Sequence, residues 1–206
     1  MVAVLDKRTR DDPRRRATEL AFLNATEGLL NEGASYTDLN VSRIAERADR
    51  TRTAFYAHFE DRRELLLALI AESSGEALTA LQLLFGSDGE LSQDEIRKSV
   101  RSLLATFREH ATVIRAVIEA AGYDEGIAEY WDNIVGRVVD AARGRLRVKG
   151  FGDSEAAATA TSLVWMTERM CYQQAVRGCL GLDDEAVIAG ISSLWLTVLC
   201  TGKAGG

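Results

Sequence analysis

Hydroxyl, guanidinium and phenol side chains gather in residues 39–65, where they could hydrogen-bond to an anionic polymer. Thr51, Arg52 and Thr53 open a short helical segment, and Tyr56 follows one turn later. Hydroxyl and guanidinium groups donate to phosphate oxygens, and one arginine can hold guanine through two parallel hydrogen bonds. Such chemistry requires elements that keep these side chains facing outwards.

Capping residues divide this stretch into two short helices and the start of a third. Asn40 and Thr51 are good N-caps, and Asp61 with Glu64 forms a D-x-x-E variant of the capping box. Asp49 tolerates the left-handed conformation that a tight turn requires. Two helices of about 8 residues joined by such a turn are a helix-turn-helix, whose second helix lies in the major groove of DNA.

The segment resembles the DNA-binding domain of the TetR family of transcriptional regulators. The resemblance covers roughly residues 14–70 and is carried by Ile44-Ala45-Glu46-Arg47-Ala48, Thr51, Phe55-Tyr56-Ala57-His58-Phe59 and Arg62-Arg63-Glu64-Leu65-Leu66. The sequence departs from the family pattern at three positions: Asp49 replaces the usual Gly, Arg50 a small apolar residue, and Arg62 the usual Lys. The resemblance implies about nine helices and a dimer that binds operator DNA.

Eleven residues are the candidate DNA contacts. Arg52 is the best candidate for a guanine contact, and by resemblance Tyr56 and His58 reach phosphate or the groove. Phe55 and Phe59 are expected to pack inside instead. The full set is Asn40, Ser42, Arg43, Arg50, Thr51, Arg52, Thr53, Tyr56, His58, Arg62 and Arg63.

Composition and patterning predict an all-α protein. The 206 residues include 47% hydrophobic residues and one proline, and apolar residues recur at helical spacing. We expect a flexible basic arm (1–13), a helix-turn-helix domain (14–62) and a ligand-binding and dimerisation domain (63–206). No run of about 18 apolar residues occurs, so the sequence predicts a cytoplasmic protein without a membrane partner.

Charge is distributed unevenly along the chain, whose net charge is −6. Residues 1–63 carry 12 basic and 11 acidic residues, whereas residues 64–206 carry 13 and 20. Salt screens the acidic body beyond about 8–10 Å, so a locally basic tip can still approach DNA.

Turn and capping residues predict the remaining helices. Ser92 with Glu95 is an S-x-x-E capping box, and Gly33 is expected to end the helix that precedes the helix-turn-helix. The expected helices include residues 62–85, 93–109, 154–177 and 184–201. Between them, a helix runs from a bend at His110 and Ala111 to Ala121, and a long helix follows the turn 122–124 and ends at about Val148.

Because one helix-turn-helix recognises few base pairs, two copies are needed about 34–36 Å apart. Helices 154–177 and 184–201 carry wide apolar faces, which favour a four-helix bundle between two chains. The predicted interface comprises Ile188, Ile191, Trp195, Val198 and Leu199. The alternative is that both helices lie inside a monomer.

Aromatic, methionine and polar residues of the body predict an apolar ligand cavity, although core packing is the more common explanation for any single one of them. The segment Trp165-Met166-Thr167-Glu168-Arg169 is similar to one in the ethionamide-regulator-like subgroup of the family. That similarity implies a small hydrophobic effector, with Thr167 or Glu168 offering a polar contact, and a repressor released by it. The candidates are Phe107, Tyr123, Tyr130, Trp131, Trp165, Met166, Thr167, Glu168 and Met170.

Three other functions were weighed. The sequence has no G-x-S-x-G, phosphate-binding loop or H-E-x-x-H motif, so we expect neither an enzyme nor a metal or other cofactor. Cys171, Cys179 and Cys200 leave a thiol-based redox sensor open. A helical interaction module that never binds DNA is the third alternative.

Overall fold

The computed structural model describes residues 13–86 and 91–200, and within these ranges it is helical without strands. The expected all-α class is thus confirmed. One 3-10 turn (Tyr36–Asp38) precedes α2, and one π-helical turn (Tyr172–Val176) follows α8. The helices are α1 Pro13–Asn31, α2 Val41–Arg47, α3 Arg52–Tyr56, α4 Arg62–Gly86, α5 Gln93–Glu109, α6 Ala111–Ala121, α7 Glu125–Val148, α8 Asp153–Cys171 and α9 Asp184–Cys200.

Helix α1 begins and ends where its terminal residues favour it. Pro13, the last residue of the predicted arm, is its first helical residue, a position where the missing N–H costs nothing. Gly33 has φ +92°, and the Ala34 N–H donates to the Leu29 carbonyl at 3.0 Å. This Schellman-type end confirms the predicted stop at Gly33. The rest of the arm, residues 1–12, lies outside the described residues.

Helix α4 connects the helix-turn-helix to the body. It spans 25 residues and packs against α5, α6 and α7, while its first half also contacts α1. At 1.5 Å per residue it is about 37 Å long. Helix α4 therefore reaches from the helix-turn-helix into the body. Among the described residues no helix is long and apolar enough to cross a membrane.

The predicted single helix 154–177 is interrupted near its end. α8 stops at Cys171, and a π-helical turn follows in which the Arg177 N–H donates to the Tyr172 carbonyl. Other elements hold this wide turn in place: Arg115 donates to the Val176 carbonyl at 2.7 Å, and Gln174 donates to the Leu182 carbonyl at 2.8 Å. Tertiary hydrogen bonds thus override the helical pattern of the sequence.

Four of the five residues of the predicted dimer interface on α9 are buried inside one protomer. Ile188, Ile191 and Trp195 are each 2% exposed within one protomer, and Leu199 is 5% exposed. Their face of α9 packs against α5 and α8 of the same chain, whereas Val198 is only partly buried. The wide apolar face of α9 therefore packs in the core of one protomer, as the alternative interpretation of a helix inside a monomer predicts for these residues.

Candidate nucleic-acid interface and central cavity

Three phenylalanines build the core beneath the candidate recognition helix α3. Phe22 of α1 lies 5.4 Å from Phe55 and 6.1 Å from Phe59, measured between ring centroids, and both contacts are edge-to-face. All three rings are buried, as predicted for Phe55 and Phe59. Aromatic pairs favour this edge-to-face geometry, and the contacts hold α3 against α1.

The predicted caps form as expected at α2 and α3. Asn40 Oδ1 accepts from the Arg43 N–H at 3.0 Å, and Thr51 Oγ1 accepts from the Ala54 N–H at 3.1 Å. The two helices have 7 and 5 residues, so α3 is shorter than predicted. Asp49 has φ +52°, the left-handed conformation that the sequence predicted for the turn.

The predicted capping box at α4 is shifted by one residue. Asp61 Oδ1 accepts from the Glu64 N–H at 2.9 Å, as expected for an N-cap. The Glu64 carboxylate, however, accepts from the Glu60 N–H at 2.6 Å, whereas a capping box would place it on the N–H of Asp61.

An open polar groove collects candidates from three segments. Its lining residues are Thr37, Asp38, Leu39, Asn40, Val41, Ser42, Arg52, Tyr56 and Arg62. The start of α2 and the outer side of α3 thus converge, and Tyr56 is 52% exposed there. Arg43, Thr51 and Thr53 are also exposed. Thr37 was missed by the sequence analysis; its position three residues before the Asn40 cap was the available signal.

Arg62, a predicted DNA contact, lines this groove and hydrogen-bonds to the backbone beside it. Its Nη1 donates to the Tyr36 carbonyl at 3.2 Å and to the Leu39 carbonyl, and its guanidinium lies over the Tyr36 ring. Burial raises the pKa of Tyr36 to about 12, although the Arg62 charge opposes the shift. Arg62 is a positioning residue that fastens α4 to the segment before α2.

His58, another predicted DNA contact, is largely covered by α1. Its side chain is 11% exposed, its Nδ1 lies 3.4 Å from Glu19 Oε1, and its ring packs near Phe22. Arg63 remains about half exposed, with Nη1 3.6 Å from Asp124 Oδ1 at the start of α7. Arg50 is exposed and donates to the Asp49 carbonyl. Packing against α1 therefore leaves little of His58 exposed, whereas Arg50 and Arg63 are accessible.

A second site, the central cavity, lies inside the body. It is apolar, with a volume of about 70 Å³, and side chains from α4 to α9 line it. Four predicted ligand residues contribute: Phe107, Trp131, Thr167 and Glu168. Two further aromatic rings, Phe85 and Trp195, were not predicted here, because Trp195 had been assigned to the dimer interface.

Five predicted ligand residues do not line the cavity. Tyr123 is 61% exposed, because it lies in the turn between α6 and α7 and belongs to the apolar face of neither helix. The other four are partly buried against the core instead: Tyr130, Trp165, Met166 and Met170. Helical spacing placed these four residues on helices correctly but did not determine which face each one occupies.

The polar wall of the cavity comes from two helices. Trp195 Nε1 donates to Thr167 Oγ1 at 3.0 Å, and the Thr167 hydroxyl donates to the Leu163 carbonyl at 2.8 Å. Trp195 also packs on Phe85, with ring centroids 4.6 Å apart. Next to Thr167, burial raises the pKa of Glu168, although the charge of Arg169 opposes the shift.

The cysteines do not form a redox pair in this structure. Cys171, Cys179 and Cys200 are free thiols, and burial, with a smaller contribution from Glu168, raises the pKa of Cys171 to about 12. A thiol held protonated is a poor nucleophile. Cys179 and Cys200 are exposed.

Comparisons with known proteins agree with this geometry. Residues 22–69 match the family described as bacterial regulatory proteins, tetR family, and residues 96–200 match the C-terminal domain of the transcriptional regulator EthR. The chain is 27% identical over 187 residues to the HTH-type transcriptional regulator EthR of Mycobacterium tuberculosis, covering 87% of this chain and 85% of that one. The EthR of Mycolicibacterium smegmatis is 26% identical, with 86% and 84% covered.

Solved structures show the same fold. Salmonella enterica GusR superimposes with a TM-score of 0.69 at 16% identity, covering 89% of this chain and 95% of that one. A transcriptional regulator from Aquifex aeolicus VF5 superimposes with a TM-score of 0.65 at 14% identity, covering 88% and 99%. Taken with the two family models, which together span most of the described residues, these findings show that the chain belongs to the TetR family of transcriptional regulators, with a C-terminal domain of the EthR type.

Proposed function

We propose that this regulator is a homodimeric repressor that leaves a palindromic operator when a small hydrophobic effector enters the central cavity. The carrying observation is that α4 begins at the groove of candidate DNA contacts and ends at the cavity wall. Arg62 anchors one end, and Leu81 and Phe85 line the cavity at the other. The proposed division at residue 62 falls where α4 begins.

The proposed DNA contacts are the exposed members of the predicted set. Arg52 and Tyr56 project from α3 into the groove, where a guanidinium could hold guanine and a phenol could donate to phosphate. Asn40, Ser42 and Arg43 at the start of α2 would contact the backbone. The proposal keeps Arg50, Thr51, Thr53 and Arg63, and excludes His58 and Arg62.

The outer faces of α8 and α9 are the proposed dimer interface. Leu194 is 50% exposed, and Ala186, Gly190 and Thr197 are exposed on the same side of α9. On α8, Ala158 and Ser162 are exposed and Trp165 is half-buried. Small residues let helices approach closely while Leu194 and Trp165 supply apolar area, so two copies can pair through one self-complementary patch.

The effector is proposed to work by widening the cavity. A volume of about 70 Å³ is below the roughly 150 Å³ that admits benzene, so an effector has to move the wall. Part of that wall belongs to α4, and a shift of α4 changes the separation of the two recognition helices. Effector binding then favours the state that fits the operator less well.

The operator can be identified by selecting the sequences that the purified full chain binds from a random DNA library. We expect inverted repeats whose half-sites lie about 34–36 Å apart, or a multiple of that distance. Enrichment of no sequence, or of a single half-site, would overturn the proposal. The EthR relatives are bacterial, and a regulator of this kind is proposed to work in the cytoplasm, where bacterial DNA lies.

A further inference from the structure

Glu168 is the one acidic residue among the described residues that line the central cavity. The residue is 6% exposed and lines the cavity beside Val164 and Trp195. Neither carboxylate oxygen has a hydrogen-bond partner among the residues that the structure describes. An unsatisfied buried carboxylate is costly, so its presence in a cavity wall requires an explanation.

The neighbouring groups do not satisfy this carboxylate. Arg169 Nε lies 3.8 Å from Oε2, beyond hydrogen-bonding distance, and the Arg169 side chain is 51% exposed. The Thr167 hydroxyl donates its single proton to the Leu163 carbonyl. The Trp195 N–H is likewise taken by Thr167. Thr106, another polar residue of the lining, donates its hydroxyl to the Ser102 carbonyl.

We propose that Glu168 is the recognition point for a basic amine, so that the effector is an apolar molecule carrying one protonated nitrogen. An ammonium group donates up to three hydrogen bonds, and both free oxygens of Glu168 can accept them. The apolar remainder of the effector would lie against Phe107, Trp131 and the other apolar side chains of the wall. This inference rests on the proposed effector site and names its ligand class.

The desolvation cost of the buried Glu168 carboxylate favours a basic ligand. Forming a buried ion pair normally requires removing two charges from water, which offsets most of the attraction. Here folding has already taken Glu168 out of water, so binding adds only the desolvation of the amine. Charge-assisted hydrogen bonds then make the amine preferred over a neutral analogue of the same shape.

Matched ligands test the proposal without any mutation. The probes are n-octylamine, 1-octanol and octanoate below their aggregation limits, titrated into the full chain while tryptophan fluorescence is followed, because Trp131 and Trp195 line the cavity. We expect octylamine to bind at least tenfold more tightly than octanol, and octanoate more weakly than either. Equal affinities of amine and alcohol in the unaltered protein would overturn the inference.

Two variants locate the preference. In Glu168→Gln we expect the tenfold preference for the amine to vanish, while octanol binding stays within about twofold. The melting temperature of ligand-free Glu168→Gln should equal or exceed that of the parent. Glu129→Gln, which removes the same charge from an exposed position of α7, should keep the preference. A preference retained in Glu168→Gln would contradict the assignment.

The outcome is separable from that of the proposed repressor mechanism. If octylamine binds with the expected preference and the operator complex persists, release by effector is wrong, whereas the amine site stands. If octanol releases the operator as well as octylamine does, the amine inference is wrong and effector release stands.

Discussion

At the residue scale, the two arginines Arg52 and Arg62 lie in different environments, although the sequence places both among the DNA contacts. Arg52 is exposed on α3, whereas Arg62 is partly buried and donates to carbonyls of the segment before α2. An exposed arginine side chain contributes little to folding. A guanidinium that donates to partly buried carbonyls contributes more, because its loss leaves the Leu39 carbonyl without this donor.

Arg62→Ala should therefore lower the free energy of unfolding by about 1.5–3 kcal/mol, the range for hydrogen bonds to charged groups. Arg52→Ala should leave it unchanged within about 0.5 kcal/mol. Urea denaturation followed by circular dichroism measures both. Equal stability of the two variants would contradict the positioning role of Arg62.

Asp49 occupies the left-handed position that ends α2. Its N–H donates to the Glu46 carbonyl and the next N–H, of Arg50, donates to the Ala45 carbonyl, the hydrogen bonds of a Schellman-type end. Asp49→Gly removes the strain of φ +52° and should raise the free energy of unfolding by up to about 1 kcal/mol. Asp49→Ala should lower it, since alanine tolerates this conformation less well. A higher urea midpoint for Asp49→Ala than for Asp49→Gly would contradict backbone strain at this position.

Capping and helix ends were predictable from the sequence because their signals are local. Asn40, Thr51, Ser92 and Gly33 each act within a few residues of their own position, and each was placed correctly. The burial of His58 depends on α1, almost forty residues away. No local pattern carries that information.

At the element scale, α9 is fastened to α5 through its first turn. Arg101 Nη2 lies 2.8 Å from Glu185, Arg97 Nη2 lies 3.3 Å from Glu185, and Arg108 pairs with Asp184. These contacts bring together two helices whose apolar faces, with Phe107 and Trp195, form one wall of the cavity. Hydrogen bonds from Arg108 and Gln174 lower the pKa of Asp184, and that from Arg101 lowers the pKa of Glu185.

A lowered carboxyl pKa gives stability that is present above the pKa in the unfolded chain and is lost as the pH falls through the folded value. For Asp184 that loss occurs below about pH 4, because the ordinary pKa is near 3.9. Asp184→Asn should be less stable than the parent at pH 7, and the difference should shrink as the pH falls below about 4. Thermal unfolding across this range measures it. A difference independent of pH would show that the ion pair contributes nothing.

Apolar periodicity predicted which segments are helical but not which face meets which neighbour. Trp195, Ile188 and Ile191 were assigned to a second chain, yet they pack on α5 and α8. Both interpretations need the same wide apolar face, so the sequence alone does not distinguish them. The π-helical turn after α8 is stabilised by two hydrogen bonds to other segments. Arg115 of α6 donates to the Val176 carbonyl in the turn, and Gln174 in the turn donates to the Leu182 carbonyl.

At the scale of the whole molecule, the proposed recognition of a palindromic operator requires a dimer. Leu194→Arg places a charge in the centre of the proposed α8–α9 interface and should convert the dimer to a monomer, measured by sedimentation velocity. The matched control is Val148→Arg, since Val148 is 81% exposed at the end of α7 and should stay dimeric. If Leu194→Arg remained dimeric, the proposed interface would be wrong.

The most direct test of the account is the affinity of Arg52→Ala for the selected operator, compared at fixed salt with the parent and with Arg137→Ala, which removes an exposed charge from α7. The account predicts that Arg52→Ala loses about 1–3 kcal/mol of discrimination at one base pair of each half-site, whereas Arg137→Ala binds as the parent does. An unchanged operator preference in Arg52→Ala would contradict the placement of α3 in the major groove.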